Sequence, residues 1–476
     1  MPTKKNLKSL NLRALLLSGG FLDPETSDIF MSNRLGGAYM IRDCLQKYNV
    51  ETEVVDMLES WPEDIADKYL DHYSKRHWVN IICISGTFMT NEYVSKISAK
   101  AKKYFPRAVI LLGSGNPSLK SNHFVNYHVY SYGEKAVIAC LENYFLGTPL
   151  ECETRGRTKF VNALHNYVAW PKEDYSLKYQ DTDFVDQNTV GTFEMSRGCR
   201  FKCSFCNWPI LGIKEDTSQK DIQYQVDALE HNYQKYGMTE YFIADDTYND
   251  RTSKLEKLAE IVSRLSFEPN FTAFMRLDLL WSLREQWDLL KPARLLSHHY
   301  GLETFNKETA KIIGKGKQAE IAKDTLLEIQ NYLGEDYTGY ATLIVGLPKE
   351  SKESIQATHD WLNENWSRGY WHWYNLDIHQ DAEVLSAFGT DMAKYNYTVD
   401  KGKVPLGLSK KVNEGTVFWK NEYFDANSSY EFAQQLNSGR KKRVPNAWMM
   451  RQGTISPREV LEKYIRKKFD LLYKIW

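Results

Sequence analysis

Two long stretches of the sequence alternate short apolar runs with amphipathic helical patterns, and this alternation constrains the fold more than any other feature. Apolar strands separated by helices cannot pair as tight hairpins, and instead form a parallel sheet against which the helices pack. In the first stretch we expect strands at 13–17, 52–56, 79–85, 108–112 and 129–132. Helical patterns such as 35–48 and 91–104 separate them. This α/β pattern predicts an N-terminal doubly wound parallel sheet of the Rossmann type.

The second stretch is longer and predicts a different parallel architecture. We expect its strands at 192–196, 240–244, 271–276, 295–300, 340–345 and 373–376. Helical patterns fall at 218–236, 254–265, 319–332 and 352–366. Six such βα units predict a partial parallel barrel. The predicted domains are therefore a Rossmann-like domain at 1–150, a polar linker at 151–187, the partial barrel at 188–385 and a mainly helical C-terminal extension at 386–476.

Three of the seven cysteines, Cys199, Cys203 and Cys206, lie within eight residues of one another. A structural zinc site needs four nitrogen or sulfur ligands, usually in two spaced pairs, and no histidine or fourth cysteine closely follows Cys206. A complete electron-transfer cluster would also need a fourth cysteine nearby. Three thiolates can hold an iron–sulfur cube and leave one iron open, so the incomplete set favours catalysis over zinc binding or electron transfer.

Charge and composition exclude some classes of protein without identifying one. Lys plus Arg and Asp plus Glu both number 61, so the net charge does not indicate binding to nucleic acid or membranes. Residues 440–476 contain 11 basic and 3 acidic residues. We interpret this segment as the solvated face of a C-terminal helix, with a patch for an anionic partner such as nucleic acid as the alternative.

No apolar stretch approaches the ~18–20 residues that span a membrane, and the N-terminal residues lack the apolar core of a signal peptide. Cys44, Cys83 and Cys140 lie in apolar surroundings, and we expect them to be buried and reduced. These features predict a cytoplasmic protein with no membrane partner.

Polar or glycine-rich residues follow the predicted barrel strands, at the rim where parallel barrels place their active sites. The cysteine loop follows the first strand. The residues after the second to fifth strands begin with Asp245, Arg276, Gly301 and Gly346. Each has a simpler explanation, since Asp245 could cap the next helix and Arg276 could pair with a neighbouring carboxylate. Together, in this order, they predict one site beside the cysteines.

The Cys-x-x-x-Cys-x-x-Cys spacing, with Phe205 before the last cysteine, resembles the signature of the radical S-adenosylmethionine (SAM) superfamily. Gly301-Leu302-Glu303 and Val345-Gly346-Leu347-Pro348 look like the fourth- and fifth-strand elements of that superfamily. The resemblance implies that Cys199, Cys203 and Cys206 hold a 4Fe-4S cluster. It implies SAM contacts at Phe205, Asn207, Asp245, Arg276, Glu303, Gly346 and Leu347.

The first 145 or so residues resemble the cobalamin-binding domain that precedes the barrel in one class of radical SAM enzymes. The resemblance lies in Leu35-Gly36-Gly37 and in the segments 83–87, 112–115 and 132–135. It implies candidate cobalamin contacts at Ser85, Thr87, Gly113, Gly115 and Gly133. The Asp-x-His-x-x-Gly loop that supplies a cobalt ligand in many cobalamin proteins is absent. Cobalamin bound without that histidine and an empty domain therefore both remain open.

The resemblance implies an enzyme that cleaves SAM reductively and uses the 5′-deoxyadenosyl radical to abstract hydrogen from a substrate C–H bond. With cobalamin present, it implies methyl transfer; the alternative is cyclisation or rearrangement with an empty N-terminal domain. A further alternative is a non-catalytic, metal-bound protein that binds nucleic acid. An electron donor such as flavodoxin or ferredoxin is the implied partner. The sequence does not indicate the substrate, because the aromatic run 369–375 could line a pocket or fill the barrel core.

Overall fold

The computed structural model describes residues 6–19, 34–86, 89, 91–114, 124–163, 176–206, 219–380, 386–406, 416–440 and 457–474. Three predicted site residues, Asn207, Thr87 and Gly115, lie outside these ranges. Two compact units make up the chain. Unit 1 comprises Met1–Phe193, Asp227–Met238 and Met450–Trp476, and unit 2 comprises Glu194–Val226 and Thr239–Met449. None of the helices in the described ranges combines the length and the apolar character needed to cross a membrane.

Unit 1 contains a seven-stranded sheet. Its strands are β1 (Leu12–Ser18), β2 (Val50–Val55), β3 (Ile81–Ser85), β4 (Val109–Ser114), β5 (Tyr127–Tyr130), β6 (Glu153–Arg155) and β7 (Thr158–Asn162). They lie in the order β2-β1-β3-β4-β5-β7-β6, and only the β6–β7 pair is antiparallel among the described strands. The helices between the strands are α1 (Gly36–Gln46), α2 (Glu63–Arg76), α3 (Asn91–Tyr104) and α4 (Glu134–Leu146). This architecture confirms the predicted doubly wound sheet.

The strand order reverses between β1 and β3, and doubly wound sheets bind ligands at such a point, beyond the carboxyl ends of the strands. Ser85 ends β3 at this edge. The segment predicted as a linker, 151–187, differs from expectation because it contributes β6 and β7 to the sheet. Its polar composition reflects the exposed, antiparallel edge strand β6 rather than an absence of regular structure.

The second sheet has six strands in the order β13-β12-β11-β10-β9-β8. They are β8 (Gly191–Phe193), β9 (Glu240–Ile243), β10 (Asn270–Met275), β11 (Leu295–Glu303), β12 (Thr338–Val345) and β13 (Gly369–Asn375). The pairs from β9 to β13 are parallel. The intervening helices are α5 (Ile222–Tyr236), α6 (Thr252–Ser263), α7 (Leu277–Ser282), α8 (Trp287–Leu290), α9 (Lys307–Ile312), α10 (Gln318–Leu333) and α11 (Lys352–Asn365). This sheet confirms the predicted partial barrel.

The chain after the barrel covers the exposed edge of β13. It contains α12 (Ala387–Thr390), β14 (Thr398–Val399), β15 (Trp419–Lys420) and α13 (Ala426–Ser438). The Asn437 side chain accepts a hydrogen bond from the Trp373 backbone N–H (2.9 Å) and donates one to the Trp373 carbonyl (2.8 Å). Arg440 donates to the Trp371 carbonyl (2.6 Å). These side chains satisfy backbone groups that a further strand would otherwise pair.

Two glycines allow Trp366, at the end of α11, to pack against the sheet. Gly339 and Gly369 are partners on β12 and β13, and a Cβ atom at either position would overlap the Trp366 ring. Trp366 is only 1% exposed, so its ring has no open space into which it could shift. The close approach of this ring to the sheet therefore depends on both glycines.

We predict that Gly369→Ala lowers the free energy of unfolding of unit 2 by about 1–3 kcal/mol, the usual cost of overpacking a core. Thermal or denaturant unfolding measures this change. Gly402→Ala is the matched control, since the nearest atom to its added Cβ would be Asp400 Oδ1 at 3.5 Å. Equal stability of the two variants would contradict the packing role of Gly369.

The last described helix, α14 (Pro457–Lys474), belongs to unit 1. Leu461, Tyr464 and Leu472 recur along one face of this helix and lie in the apolar core of that unit. The Tyr464 hydroxyl accepts a hydrogen bond from the Asp56 backbone N–H (2.9 Å), and Lys468 forms an ion pair with Glu53 (3.0 Å). The predicted C-terminal extension 386–476 is therefore divided in the structure, because the apolar face of α14 completes the core of unit 1. The other domain boundaries stay predictions.

Candidate functional site

The cysteine loop begins directly after β8, at the carboxyl end of the first strand of the partial barrel. Cys199, Cys203 and Cys206 each have a partly exposed side chain. The loop is fixed to the turn after α9, because the Ser204 backbone N–H donates to the Ile313 carbonyl (3.1 Å). Gly198, immediately before the first cysteine, has a φ of 85°, a conformation that glycine adopts without strain. The three thiols are therefore presented on an anchored loop.

Asp245 anchors the start of this loop. Its carboxylate accepts hydrogen bonds from the backbone N–H groups of Met195 (2.8 Å) and Ser196 (2.9 Å) and from the Ser196 hydroxyl (2.5 Å). The Lys254 ammonium lies 3.6 Å from the Asp245 carboxylate. Burial raises the pKa of Asp245, while the charge of Lys254 and these hydrogen bonds oppose that rise. Asp245 therefore holds the start of the cysteine loop and does not cap the following helix. Its contact with SAM stays a prediction.

Two side chains contact the thiols directly. The Thr247 hydroxyl lies 3.5 Å from the Cys199 sulfur, and Arg276 donates to the Cys203 sulfur at 3.5 Å. The Arg276 guanidinium also lies over the Phe201 ring, 3.9 Å from its centre, and forms an ion pair with Asp278 (2.7 Å). A cation fixed beside a cysteine can offset the negative charge of an iron–sulfur cluster bound there. Arg276 therefore pairs with the neighbouring carboxylate of Asp278, which was the simpler explanation for it, and it also contacts the Cys203 sulfur.

The donor set fits a cluster better than a single metal ion. Within the described residues, no three His, Cys, Asp or Glu side chains converge on a point that one metal ion could occupy. In an iron–sulfur cube each of three thiolates binds a different iron, so the sulfurs need not converge. Three partly exposed thiols on one loop, with Arg276 beside one of them, fit that requirement.

Glu303 lies at the end of β11 and forms a buried ion pair that the sequence did not predict. Its carboxylate is 3.5 Å from the Lys315 ammonium, and both residues are almost fully buried. Lys315 also donates to the Gly301 carbonyl (2.9 Å) and lies 5.8 Å from the centre of the Phe205 ring. Burial raises the pKa of Glu303, although the charge of Lys315 opposes that rise. The pair places one negative and one positive group beside the cysteine loop.

A sequence signal for Lys315 does exist. It lies between Gly314 and Gly316, which have φ values of 80° and 57°. Two left-handed glycines indicate a tight, specific turn between α9 and α10. That turn returns a lysine to the end of β11, but the glycines alone do not show which strand end the lysine reaches.

The fifth-strand element follows β12. Gly346 has a φ of 102°, and a Cβ atom there would overlap the Trp419 ring. Its carbonyl accepts hydrogen bonds from the Tyr397 hydroxyl (2.8 Å) and the Asn421 side chain (2.9 Å). Leu347 is fully buried. The structure therefore explains Gly346 by packing, and the roles of both residues in binding SAM stay predictions.

Glu350, a residue that sequence reasoning missed, links the fourth- and fifth-strand elements. It is fully buried, and its Oε1 atom accepts a hydrogen bond from the Thr304 hydroxyl (2.6 Å). Its Oε2 atom is buried and has no hydrogen-bond partner among the described residues. Burial raises the pKa of Glu350 to about 8, while the Thr304 hydrogen bond opposes the rise. The protonated carboxyl is therefore favoured in the folded protein at neutral pH.

We predict that Glu350→Gln stabilises unit 2 at alkaline pH. The unfolded chain loses this proton near pH 4.5 and the folded protein near pH 8, so the wild type loses stability as the pH rises between these values. Glutamine removes that dependence while keeping a hydrogen-bond acceptor. The melting temperature of the variant should exceed that of the wild type by several degrees at pH 8 and by less at pH 5. Glu364→Gln, at an exposed position on α11, is the control; an equal gain at both pH values would contradict the assignment.

The predicted cobalamin contacts lie in unit 1. Ser85 ends β3, Gly113 lies opposite it on β4, and Gly133 precedes α4. Among the described residues, a Cβ atom added at Gly113 would meet only the Ile84 carbonyl oxygen, at 3.8 Å, and one at Gly37 only the Ser85 hydroxyl, at 3.9 Å. The described part of the chain therefore does not crowd the backbone at Gly37 and Gly113.

The two adjacent histidines of β11 face opposite sides of the sheet. His298 is buried with Tyr300 and Tyr337 on the outer side, and its Nε2 atom donates to the Leu295 carbonyl (3.0 Å). Burial lowers the pKa of His298 to about 4. His299 packs between Phe274 and Tyr340 on the inner side. His298 is therefore a neutral, hydrogen-bonded core residue.

Comparison with known proteins identifies the domain that carries the cysteine loop. The profile of the Radical SAM superfamily matches residues 193–362. An uncharacterised methyltransferase of Pyrococcus horikoshii is 21% identical over 195 residues, which are 41% of each chain. The anaerobic magnesium-protoporphyrin IX monomethyl ester cyclase of Cereibacter sphaeroides is 28% identical over 222 residues, which are 43% of this chain and 33% of that protein. The chain thus spans less than half the length of these relatives.

Two solved structures share the fold. The radical SAM methyltransferase TsrM from Kitasatospora setae, with cobalamin and a 4Fe-4S cluster bound, has a TM-score of 0.65 and 13% identity, and the match covers 97% of this chain and 100% of TsrM. The cobalamin-dependent radical SAM enzyme OxsB, with aqua-cobalamin and SAM bound, has a TM-score of 0.60 and 13% identity, covering 87% of this chain and 65% of OxsB. At this level of identity the match shows the fold.

Proposed function

The chain carries a radical SAM domain preceded by a cobalamin-binding-like domain, and on this premise we propose that it is a cobalamin-dependent radical SAM methyltransferase. The observation that carries the proposal is the anchored cysteine loop, with Arg276 beside the Cys203 sulfur and the Glu303–Lys315 pair close by. The shared architecture of both domains with TsrM and OxsB supports the inclusion of cobalamin.

In this proposal, Cys199, Cys203 and Cys206 hold the cluster, and Asp245 holds the start of their loop. When bound, the cluster supplies an electron that cleaves SAM to a 5′-deoxyadenosyl radical, and cobalamin carries the methyl group to the substrate. Arg276 offsets negative charge beside Cys203. The protein's remaining task is to orient the reactants and exclude water.

Glu303 and Lys315 fit the methionine part of SAM, which carries an ammonium and a carboxylate group. The Glu303 carboxylate can accept hydrogen bonds from the ammonium, and the Lys315 ammonium can pair with the carboxylate. Each charge of the buried pair would then gain a second partner of opposite charge. The neighbouring Phe205 ring, already close to Lys315, would border the same position.

Cobalamin would lie at the carboxyl ends of the unit 1 strands, where no described side chain crowds the backbone at Gly37 and Gly113. Ser85, Gly113 and Gly133 are the described residues that would hold it, and Thr87 and Gly115 complete the predicted set. The sequence lacks the loop with a cobalt-ligating histidine, so this proposal requires binding without that ligand. A cytoplasmic location and an electron donor such as flavodoxin or ferredoxin stay predictions.

Anaerobic reconstitution with iron, sulfide and cobalamin tests the proposal. We expect 4Fe-4S absorbance, one corrinoid per chain and reductant-dependent release of 5′-deoxyadenosine. With SAM labelled in its methyl group, the label should appear on the corrinoid even without the substrate. A protein with neither the cluster nor SAM cleavage would contradict the proposal.

A second candidate is a radical SAM cyclase or a rearranging enzyme whose N-terminal domain is empty. The 28% identity to the magnesium-protoporphyrin ester cyclase and the missing histidine loop favour it. Under the same assay, this candidate predicts cluster formation and 5′-deoxyadenosine release with no bound corrinoid. The corrinoid measurement therefore separates the two candidates.

A further inference from the structure

The two faces of the strand pair β12 and β13 differ in exposure to solvent. Trp371, Trp373 and Val345 are at most 1% exposed. Among the residues that alternate with them, Tyr340 is buried, whereas Thr342, Ile344, Tyr370, His372 and Tyr374 are partly exposed, and Tyr374 is 41% exposed. Alternate side chains of a strand point to opposite faces of the sheet. One face of this strand pair is therefore packed, and the other borders open space.

The packed face is the outer one. Trp373 donates a hydrogen bond to His359 of α11 (3.3 Å), and the Trp371 ring lies 6.2 Å from the His359 ring. The helices of a βα barrel surround it, so the tryptophans point outward and Tyr370, His372 and Tyr374 point into the barrel. The aromatic run thus divides between an outer core and an inner wall.

The inner wall extends across the neighbouring strands. Phe274, His299, Tyr340 and Tyr370 occupy partner positions on β10, β11, β12 and β13. Neighbouring ring centres are 4.5 Å apart for Phe274 and His299 and 4.7 Å for His299 and Tyr340. Arg276, which contacts Cys203, lies two positions beyond Phe274 on the same side. The wall therefore lies below the proposed cluster site.

Nearer the cysteines, the inner positions of β12 and β13 carry Thr342, Ile344, His372 and Tyr374, without any acidic residue, lysine or arginine. The Asn437 amide nitrogen donates to the Trp373 carbonyl and lies 3.3 Å from His372 Nε2. An amide N–H can only donate, so His372 Nε2 is the acceptor in this contact. The His372 and Tyr374 ring centres are 4.5 Å apart.

We propose that this inner surface binds a planar aromatic or heteroaromatic ring, which is the body of the substrate. The rings of Tyr370, His372 and Tyr374 are partly exposed and offer flat apolar surface for ring stacking and edge contacts, beside the buried rings of His299 and Tyr340. The inner positions of β12 and β13 offer no formal charge that would pair with a strongly charged ligand. The assignment of this ligand as a substrate rests on the proposed function, whereas its binding does not.

Binding of indole to the reconstituted protein tests the inference, with octahydroindole as the saturated, non-planar counterpart. Saturation-transfer NMR and equilibrium dialysis measure both. Indole should bind more tightly than octahydroindole, and Tyr374→Leu should weaken indole binding roughly two- to tenfold, the range of a lost aromatic pair. Tyr374→Phe should retain binding. Tyr144→Leu, at a 46% exposed tyrosine of α4 in unit 1, is the matched control.

Three results would overturn the inference: no indole binding by the wild type at millimolar concentration, equal binding of octahydroindole, or unchanged binding by Tyr374→Leu. The exposed position of Tyr374 allows its variants to fold, and their melting temperatures verify this. Release of 5′-deoxyadenosine, measured separately, reports the proposed function. Indole binding without SAM cleavage would contradict only the function, and SAM cleavage without indole binding would contradict only the inference.

Discussion

Substitution of Cys203 by serine is expected to remove the 4Fe-4S cluster and to lower SAM cleavage by at least about a hundredfold. A hydroxyl is a much poorer ligand than a thiolate for iron in these clusters, and two remaining cysteines hold a cube at only two corners. The Cys203 thiol is partly exposed, so the substitution should leave the fold intact. Iron and sulfide content, 4Fe-4S absorbance and 5′-deoxyadenosine release measure the effect after anaerobic reconstitution.

Cys152→Ser is the matched control, because Cys152 is also a partly exposed free thiol but lies outside the cysteine loop, in unit 1. It should load iron and cleave SAM as the wild type does. If Cys203→Ser retained both iron and SAM cleavage, the assignment of the cluster ligands and the proposed function would both be wrong.

Lys468→Ala is expected to lower the free energy of unfolding of unit 1 by about 3–5 kcal/mol, the usual cost of removing one partner of a buried ion pair. Lys468 is fully buried and pairs with Glu53 at 3.0 Å. Burial opposes the ionisation of Glu53, but the charge and hydrogen bond of Lys468 outweigh it and lower the pKa of Glu53. Without Lys468, the Glu53 carboxylate would be largely buried without its counter-ion. Denaturant unfolding at neutral pH measures the loss.

The double variant Glu53→Gln/Lys468→Ala separates this effect from lost packing. It should recover part of the stability, since no unpaired charge remains. The lowered pKa of Glu53 means that the pair stabilises the wild type at neutral pH and that this contribution fades as the pH falls through the folded-state pKa. Lys463→Ala, which removes an exposed pair with Asp186, should cost at most about 1 kcal/mol. Equal costs for Lys468→Ala and Lys463→Ala would contradict the buried pair.

Most elements of both sheets were predictable because their signals are local. A strand was predicted at 79–85, and the structure confirms it as β3, in which the apolar run 81–84 is buried as in other parallel sheets. The start of β13 was predicted four residues late, at 373 instead of Gly369. Its aromatic residues occur at every position from 370 to 374, so the usual alternation that marks a strand with one exposed face is missing.

The candidate site was predictable only in part. The spacing of the three cysteines and the positions of Arg276 and Glu303 after successive strands were available from the sequence, because parallel strands bring their carboxyl ends to one rim. The glycines beside Lys315 indicate a tight turn, but neither its pairing with Glu303 nor the contact of Glu350 with Thr304 was available, because local pattern does not show which strand end a turn or loop reaches. Asp245 was identified, but its bonds to the cysteine loop were not.

The sequence by itself determined the alternation of strands and helices, the spacing of the three cysteines and the order of polar residues around the barrel rim. These features depend on periodicity and spacing within short segments. Only the tertiary structure decided that α14 completes the core of unit 1, that Lys315 pairs with Glu303, and that Tyr374 faces the inside of the barrel while Trp373 faces outward. Such pairings depend on which apolar faces and buried charges meet across long separations in the chain, and local pattern does not encode that choice.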